Sequence, residues 1–294
     1  GMSPDSVEYD EPIEIDGWKP HNYSGRYYGP VTLRQALAKS LNTVAVRLGQ
    51  SVGPRSVVTT AHRLGINSEL KANASIALGT SEVSLLELTS AYAPFSNGGN
   101  AVVPHVVTRI TTREGKVLYE RSGNGLGSVV SSYDLGAMND MLRAVVEQGT
   151  GTKARLNGQD VGGKTGTTQD YRDAWFVGYT AHMVAGVWVG NDDNSPTKRV
   201  TGGSLPAKMW NTVMTAAHNA LPKVDLPGEN TLYGQTELPV AYDTGGFVDI
   251  LQNMFGNKQN TELDGQQAPR ESGSKRTERR ERLRKRLKDL EDSR

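Results

Sequence analysis

Two stretches of this chain carry side chains able to act together on an anion or an acyl group. The first, Gly158 to Thr168, reads Gly-Gln-Asp-Val-Gly-Gly-Lys-Thr-Gly-Thr-Thr. From Gly158 to Thr165 it matches G-x-x-x-x-G-K-T, a loop that cradles phosphate when a buried apolar strand precedes it and a helix opens at the lysine. Neither condition is met. Lys153-Ala154-Arg155-Leu156-Asn157 comes before it, and the Gly-Thr-Thr that follows favours extended backbone. Lys164-Thr165-Gly166-Thr167 is expected instead on an edge strand beside a cleft. There an ammonium and two hydroxyls can hold a substrate carboxylate, and the small Gly166 lets a ligand backbone approach. A plain hairpin strand with a surface lysine is the alternative. The second stretch is Ser40-Leu41-Asn42, within or at the end of a helix. Serine and asparagine are mediocre helix formers, so two of them flanking a leucine in an apolar pattern need a reason. The tripeptide alone carries no information.

Other chemistry is thin. Ser68-Glu69-Leu70-Lys71, Ser195-Pro196-Thr197-Lys198 and Ser272-Gly273-Ser274-Lys275 have the Ser-x-x-Lys spacing of an activated serine, yet none opens an apolar helix, and each is read as coincidence. Gly49-Gln50-Ser51-Val52-Gly53 matches the G-x-S-x-G elbow but follows a helix rather than a strand, so Gly49 is expected to cap that helix. The histidines at 21, 62, 105, 182 and 218 have neither metal-ligand spacing nor a Ser-His-Asp order, and there is no cysteine. No metal, no cofactor and no triad are expected.

The elements that must position these groups can be read from periodicity. Leu33, Leu37, Leu41, Val44 and Leu48 follow helical spacing and predict one helix from Val31 to Leu48, with Thr32 as its N-cap. Further helices are expected from Pro54 to Gly65, from Ser84 to Phe95 behind a Ser-x-x-Glu capping box, from Ser132 to Gln148, and from Ser204 to about Leu221. Val106–Ile110 and Val117–Tyr119 read as a hairpin around Arg113-Glu114-Gly115-Lys116. Gln159–Thr168, Ala174–Thr180 and Met183–Val189 are three short strands whose tight connections require antiparallel pairing. Residues 1–30 read as irregular loop. This order of helices, hairpin, antiparallel strands and a final helix is α+β rather than repeating βαβ.

Of the 294 residues, 36% are hydrophobic, enough for one core but not for the whole chain. The net charge is +1, but Arg270 to Arg294 holds 11 basic and 6 acidic residues, leaving the preceding 269 residues at −4. That is not a basic domain for nucleic acid. The division expected is a folded domain over 1–226 and a polar, then charged, tail over 227–294, disordered or weakly helical along Leu283, Leu287 and Leu290. No apolar run approaches the ~20 residues that span a bilayer, and no signal peptide is visible. Gly1 before Met2 resembles the scar of a removed tag, which leaves room for an upstream anchor.

Taken in order, Ser-x-Asn followed about 120 residues later by Lys-Thr-Gly-Thr on an antiparallel strand is two-thirds of the serine penicillin-recognising signature. Residues from about Tyr9 to Leu221 resemble the transpeptidase domain of bifunctional class A penicillin-binding proteins. The likeness covers Gly29-Pro30-Val31-Thr32-Leu33-Arg34-Gln35-Ala36-Leu37-Ala38-Lys39-Ser40-Leu41-Asn42, then Ala77 to Val83, Ala91 to Gly99, and Asp173-Ala174-Trp175-Phe176-Val177-Gly178-Tyr179. The resemblance implies an antiparallel sheet packed with helices. It also implies serine acyl transfer on the D-Ala-D-Ala end of a peptidoglycan stem peptide, with β-lactams acylating the same serine. In its terms Ser40 relays a proton and Asn42 holds the acyl side-chain amide. Lys164 supplies positive potential, Thr165 and Thr167 bind the terminal carboxylate, and the Thr167 backbone N–H forms half of the oxyanion hole. It implies no cofactor, a periplasmic location at the inner membrane, and a parent protein with a glycosyltransferase domain and an N-terminal anchor.

One departure stands out. The family's nucleophile, in Ser-x-x-Lys, precedes Ser-x-Asn, and nothing before Ser40 fits that pattern. Two of the family's five sheet strands lie ahead of the nucleophile as well. The chain alone is therefore expected to be inert, with an apolar sheet edge and a trough where the nucleophile helix belongs, and to be unstable or associating. A non-catalytic binding or scaffold remnant of the same fold is the alternative. A serine β-lactamase would need a deacylating Glu-x-x-x-Asn loop, and none is convincing between Asn42 and Lys164.

Overall fold

The computed structural model describes residues 1–123 and 125–228. Strand β1 (Val7–Asp10) pairs antiparallel with β2 (Gly29–Thr32), Val7 lying opposite Thr32 and Asp10 opposite Gly29. This corrects the reading of residues 1–30 as loop. The ribbon has no apolar alternation to betray it, since Val7 and Tyr9 are exposed while Asp10 is the fully buried residue. Val31 of β2 enters an apolar cluster, while on β1 it is the polar contacts of Asp10 that face inward.

Helix α1 (Leu33–Lys39) opens on a capping box between Thr32 and Gln35, and α2 (Asn42–Val52) follows at once. The single helix expected over Val31–Leu48 is thus two, broken at Ser40. The leucine spacing runs through the break because both helices feed one cluster of Val31, Leu33, Ala36, Leu41 and Val44, with Leu48 and Met141 packed on it. Gly49 is inside α2 rather than at its end. A Cβ there would stand 2.8 Å from that of Ala77, so close helix packing demands the glycine, and Gly53 takes the cap.

Next come α3 (Pro54–Arg63) and α4 (Leu85–Ser96), the latter with Ser84 and Glu87 in the expected capping box. Strands β3 (Asn100–Ala101), β4 (Arg109–Thr111), β5 (Val117–Glu120) and β6 (Gly127–Ser128) form the expected hairpin, β4 with β5, and a second pairing at its base, β3 with β6. The second pairing gives no sequence signal, because each strand is only two residues long. Helix α5 (Ser132–Glu147), strands β7 (Gly162–Thr167), β8 (Asp173–Tyr179) and β9 (Val184–Gly190), and helix α6 (Leu205–Ala217) complete the order.

The three last strands form one antiparallel sheet, β7-β8-β9, with Lys164 opposite Val177 and Gly166 opposite Trp175. Strand alternation splits its side chains between two cores. On one face Phe176 meets Trp210 of α6 edge-on, ring centroids 5.3 Å apart, with Met214, Val146 and Leu156 around them. On the other, Tyr179 packs on Tyr92 and Phe95 of α4 and on Leu142 of α5. The fold is α+β, an antiparallel sheet between helices. Among the described residues β9 pairs only with β8, leaving an edge that carries Val187, Trp188 and Val189.

Beyond α6 the chain returns to the body. Leu226 is buried, its N–H donates to Asp160 at 2.9 Å, and the Asn139 amide donates to the Pro227 carbonyl at 2.7 Å. The expected tail is therefore still packed at Pro227, and its remainder from 229 to 294 lies outside the described residues.

Asn139 also donates to the Phe95 carbonyl at 3.0 Å and accepts from the Tyr179 hydroxyl at 2.6 Å, tying α5 to α4, β8 and the returning chain. Asn139→Leu strands these buried partners and is expected to cost about 3 kcal/mol in urea unfolding, whereas Tyr179→Phe costs about 1 kcal/mol.

Candidate active site

The site begins with a backbone irregularity. Ser40 ends α1 in the left-handed conformation, φ 57° and ψ 51°. Its N–H donates to the Leu37 carbonyl at 3.1 Å, and the Leu41 N–H to that of Ala36 at 2.9 Å. This is the paired closure that normally places glycine at the left-handed position. A residue with a Cβ pays roughly 1–2 kcal/mol there. Serine in a glycine position implies that its hydroxyl is needed, and the hydroxyl has a partner from far along the chain. The Lys164 ammonium donates to Ser40 Oγ at 2.8 Å and to the Thr165 carbonyl at 2.9 Å.

Lys164 stands on β7, held in register by β8. Burial pulls its pKa from the ordinary 10.5 down to about 8. No carboxylate among the described residues offsets that penalty; both its acceptors are neutral oxygens. An ammonium has three donors, and these two contacts use two of them.

Asn42 opens α2, two residues past the break. The α2 N-cap, Leu41, has no side chain to accept a helix-end N–H, and Asn22 serves from a distance: its Oδ1 accepts from the Asn42 N–H at 2.8 Å. Asn22 in turn donates to both Asp10 carboxylate oxygens at 2.8 and 3.0 Å. Asp10, completely buried, also accepts from the Thr43 hydroxyl and from the Tyr28 N–H at 2.9 Å. The Asn42 side chain donates one N–H to the His21 carbonyl at 2.7 Å, leaving its second N–H and its carbonyl oxygen for other partners.

The hydroxyls beyond Lys164 are also fixed. Thr165 Oγ1 lies 2.7 Å from Thr150 Oγ1, and Thr167 Oγ1 accepts from the Gly202 N–H at 3.0 Å. Thr150 was not singled out from the sequence. It follows α5 in Gly149-Thr150-Gly151, and its N–H donates to the Ala38 carbonyl of α1 at 3.1 Å, beside a glycine whose Cβ would collide with that same carbonyl. The only hint lay in those two flanking glycines. Gly166 has a packing role as well. A Cβ there would meet the Trp175 Cβ at 3.3 Å, so packing within the sheet already favours glycine at this place.

The structure thus brings Ser40 and Lys164 into contact, with Thr165, Gly166 and Thr167 continuing the strand from Lys164 and Asn42 opening α2 two residues past Ser40. The remaining Ser-x-x-Lys tetrads do not join them. Ser68 donates to Glu87 at 2.7 Å in a bend, Ser195 lies in a non-helical loop, and the tetrad from Ser272 is outside the described residues. The phosphate-loop reading fails because Lys164 is inside a strand and opens no helix. Among the described residues no group of three or more His, Cys, Asp or Glu is placed to hold a metal, and no helix is long and apolar enough to cross a membrane.

The family model of the penicillin binding protein transpeptidase domain matches residues 1–215. The chain belongs to that family. It is 40% identical to penicillin-binding protein 1A of Aquifex aeolicus over 228 residues, covering 76% of this chain and 31% of that protein. It is 34% identical to penicillin-binding protein 1A of Rickettsia conorii over 256 residues, again 76% of this chain and 32% of the relative. The transpeptidase chain therefore spans about a third of the length of these relatives. Among solved structures it is similar to the PonA1 protein of Mycobacterium tuberculosis in complex with penicillin V, with a TM-score of 0.71, 26% identity, and coverage of 82% of this chain and 69% of that one. Membership also bears out the antiparallel, helix-covered fold expected from the resemblance.

Two measurements probe this geometry. With Lys164 at about 8 folded and 10.5 unfolded, the unfolded state binds the extra proton between those values, so stability is expected to climb as pH rises from 8 to 10.5. Lys164→Met should abolish that climb. In the Lys164→Met background the Ser40 hydroxyl has lost its partner, and Ser40→Gly should then stabilise by about 1 kcal/mol in urea unfolding through relief of the left-handed serine.

Proposed function

We propose that residues 1–228 are the C-terminal part of a peptidoglycan D,D-transpeptidase domain that cross-links stem peptides by serine acyl transfer within a longer protein. The 2.8 Å contact between Lys164 Nζ and Ser40 Oγ, made across 124 residues of chain, supports it most directly. It joins a hydroxyl at the end of α1 to an ammonium on β7, a pair able to pass a proton beside a nucleophile supplied from upstream.

In this reading an upstream Ser-x-x-Lys segment supplies the nucleophile. Its oxygen attacks the carbonyl of the penultimate D-Ala, and the resulting oxyanion is held by two backbone N–H groups, that of Thr167 and the nucleophile's own. Ser40 passes the proton to the leaving nitrogen, the C–N bond breaks, and D-Ala departs. An amine of a neighbouring stem then attacks the acyl carbon, the ester C–O bond breaks, the amine's proton passes to the serine oxygen, and the amide cross-link is formed. Asn42 uses its remaining amide N–H on the acyl arm. Lys164 supplies its third donor and its charge, and Thr165 and Thr167 hold the terminal carboxylate, with Thr150 fixing the Thr165 hydroxyl. Gly166 keeps the strand slim between them. A β-lactam presents the same amide and carboxylate and acylates the same serine. The partners this implies are the stem peptide, the upstream half of the domain, and a glycosyltransferase module on an anchored parent at the extracytoplasmic face of the inner membrane. This chain by itself is inert, because it lacks the nucleophile and half of the oxyanion hole.

Fluorescent penicillin should label the full-length protein and not this chain. Lys164→Ala in the full-length protein should slow labelling about 10²–10³-fold, as loss of a charge-stabilising donor does. Wild-type labelling should decline as pH rises above about 8, where Lys164 loses its proton. Labelling of Lys164→Ala at the wild-type rate would defeat the assignment.

A further inference from the structure

The helix break at Ser40 has one frame on both of its sides. Strand β2 runs into Thr32, which caps α1, and Asp10 at the end of β1 lies opposite Gly29 of β2. Asp10 itself turns inward, to the start of α2. Its carboxylate is fully buried and accepts from the Asn22 amide at 2.8 and 3.0 Å, from the Tyr28 N–H at 2.9 Å and from the Thr43 hydroxyl. Each of these donors is neutral, and Asp10 makes no ion pair among the described residues. A carboxylate withdrawn from water without a cation destabilises a core that an apolar side chain would fill. Its use lies in what it orients.

That is Asn22, itself buried. Both amide hydrogens of Asn22 are taken, by the Asp10 carboxylate and by the Arg26 carbonyl at 2.9 Å. The amide oxygen therefore points the other way, to the first N–H groups of α2, those of Asn42 at 2.8 Å and Thr43 at 3.4 Å. Turned over, Asn22 would set its NH2 against those N–H groups and its oxygen against the carboxylate, so Asp10 permits one orientation. The preceding residue completes the hold, because the His21 carbonyl accepts one N–H of the Asn42 side chain at 2.7 Å. Consecutive residues thus grip Asn42 by its backbone and by its side chain. The grip also decides which way the Asn42 amide faces, since its oxygen cannot be the atom set against a carbonyl oxygen.

We propose that the buried Asp10 carboxylate is a positioning residue for amide recognition, acting on acylation only through Asn22 and Asn42. The inference rests on the transpeptidase reading of the site, in which Asn42 uses its remaining amide N–H on the acyl arm. With the start of α2 clamped, that N–H is already oriented before a substrate binds, and the ordering cost is met on folding rather than on binding. Asp10 touches no part of the substrate. It favours an arm that carries an amide beside the reacting centre over one that does not, while Lys164, Thr165 and Thr167 serve the carboxylate end of both.

The test uses the full-length protein and two β-lactams with the same bicyclic core and carboxylate: benzylpenicillin, which carries an acyl amide, and 6-aminopenicillanic acid, which has a free amine in its place. The wild type should be acylated faster by benzylpenicillin. Asp10→Asn sets an NH2 among donors. It should lower the ratio of the two second-order acylation rates about tenfold, what one neutral hydrogen bond contributes, by slowing benzylpenicillin alone. Thr43→Val keeps the volume and removes one donor to Asp10; it should lower the ratio about twofold, and it decides the question if thermal unfolding shows that Asp10→Asn does not fold. In an Asn42→Ala background neither substitution should change the ratio, because the residue they act through is gone. An unchanged ratio, an equal loss with both compounds, or a further fall in the Asn42→Ala background overturns the positioning role and leaves the transpeptidase reading standing. A wild type acylated equally by both compounds overturns it too, by removing the amide contact of Asn42. Failure of the wild type to be acylated by benzylpenicillin overturns the transpeptidase reading itself.

Discussion

A lysine ammonium partly withdrawn from water and offered only neutral oxygens governs this site. Burial lowers the proton affinity of Lys164, and no carboxylate among the described residues restores it. The folded chain thus holds a cation whose hydrogen-bond acceptors, the Ser40 hydroxyl and the Thr165 carbonyl, are both neutral. Everything nearby serves to keep Lys164 in place without neutralising it. Strand β8 fixes its register, Ser40 offers an oxygen but no charge, and Thr150 ties up the neighbouring Thr165 hydroxyl.

The Ser40 partner is obtained by breaking a helix. If α1 continued through Ser40, that hydroxyl would follow the helical spiral and the Asn42 amide would project from its next turn. The left-handed serine stops α1 and lets α2 restart at once, with the N-terminal segment acting as the missing cap. That segment is anchored by one buried carboxylate, Asp10, which accepts from Asn22, Thr43 and Tyr28. A buried charge with several donors is costly to disturb. The same anchor sets the start of α2 through Asn22, so the N-terminal segment bears on where Asn42 stands.

The legible and illegible parts divide by the range of the interaction. The periodicity of α3, α4 and α5, the capping box at Ser84 and the tight β8–β9 turn are local, and each stood where its residues predicted. The β1–β2 ribbon was missed because its register depends on a contact between Asp10 and residues up to 33 positions away. The break at Ser40 was missed because leucines on both sides enter the same cluster, which preserves a helical spacing across a non-helical residue. Gly49 read as a stop, yet it is a contact point for Ala77. Thr150 was passed over since a threonine between glycines gives no chemistry until a partner hydroxyl is placed beside it.

By itself the sequence determined the residue types of the site, their order along the chain and the elements that carry them, because helix and strand periodicities and the Lys-Thr-Gly-Thr and Ser-x-Asn spacings are local properties of the chain. It also determined that a nucleophilic serine of the expected kind does not precede Ser40 within these residues. Only the tertiary structure decided that Ser40 adopts a left-handed backbone, that its hydroxyl meets Lys164, and that Asp10 and Asn22 hold Asn42 in place. Each of these joins residues far apart in the chain or takes on strain that another element must offset, and neither quantity exists until the packing of the whole domain is settled.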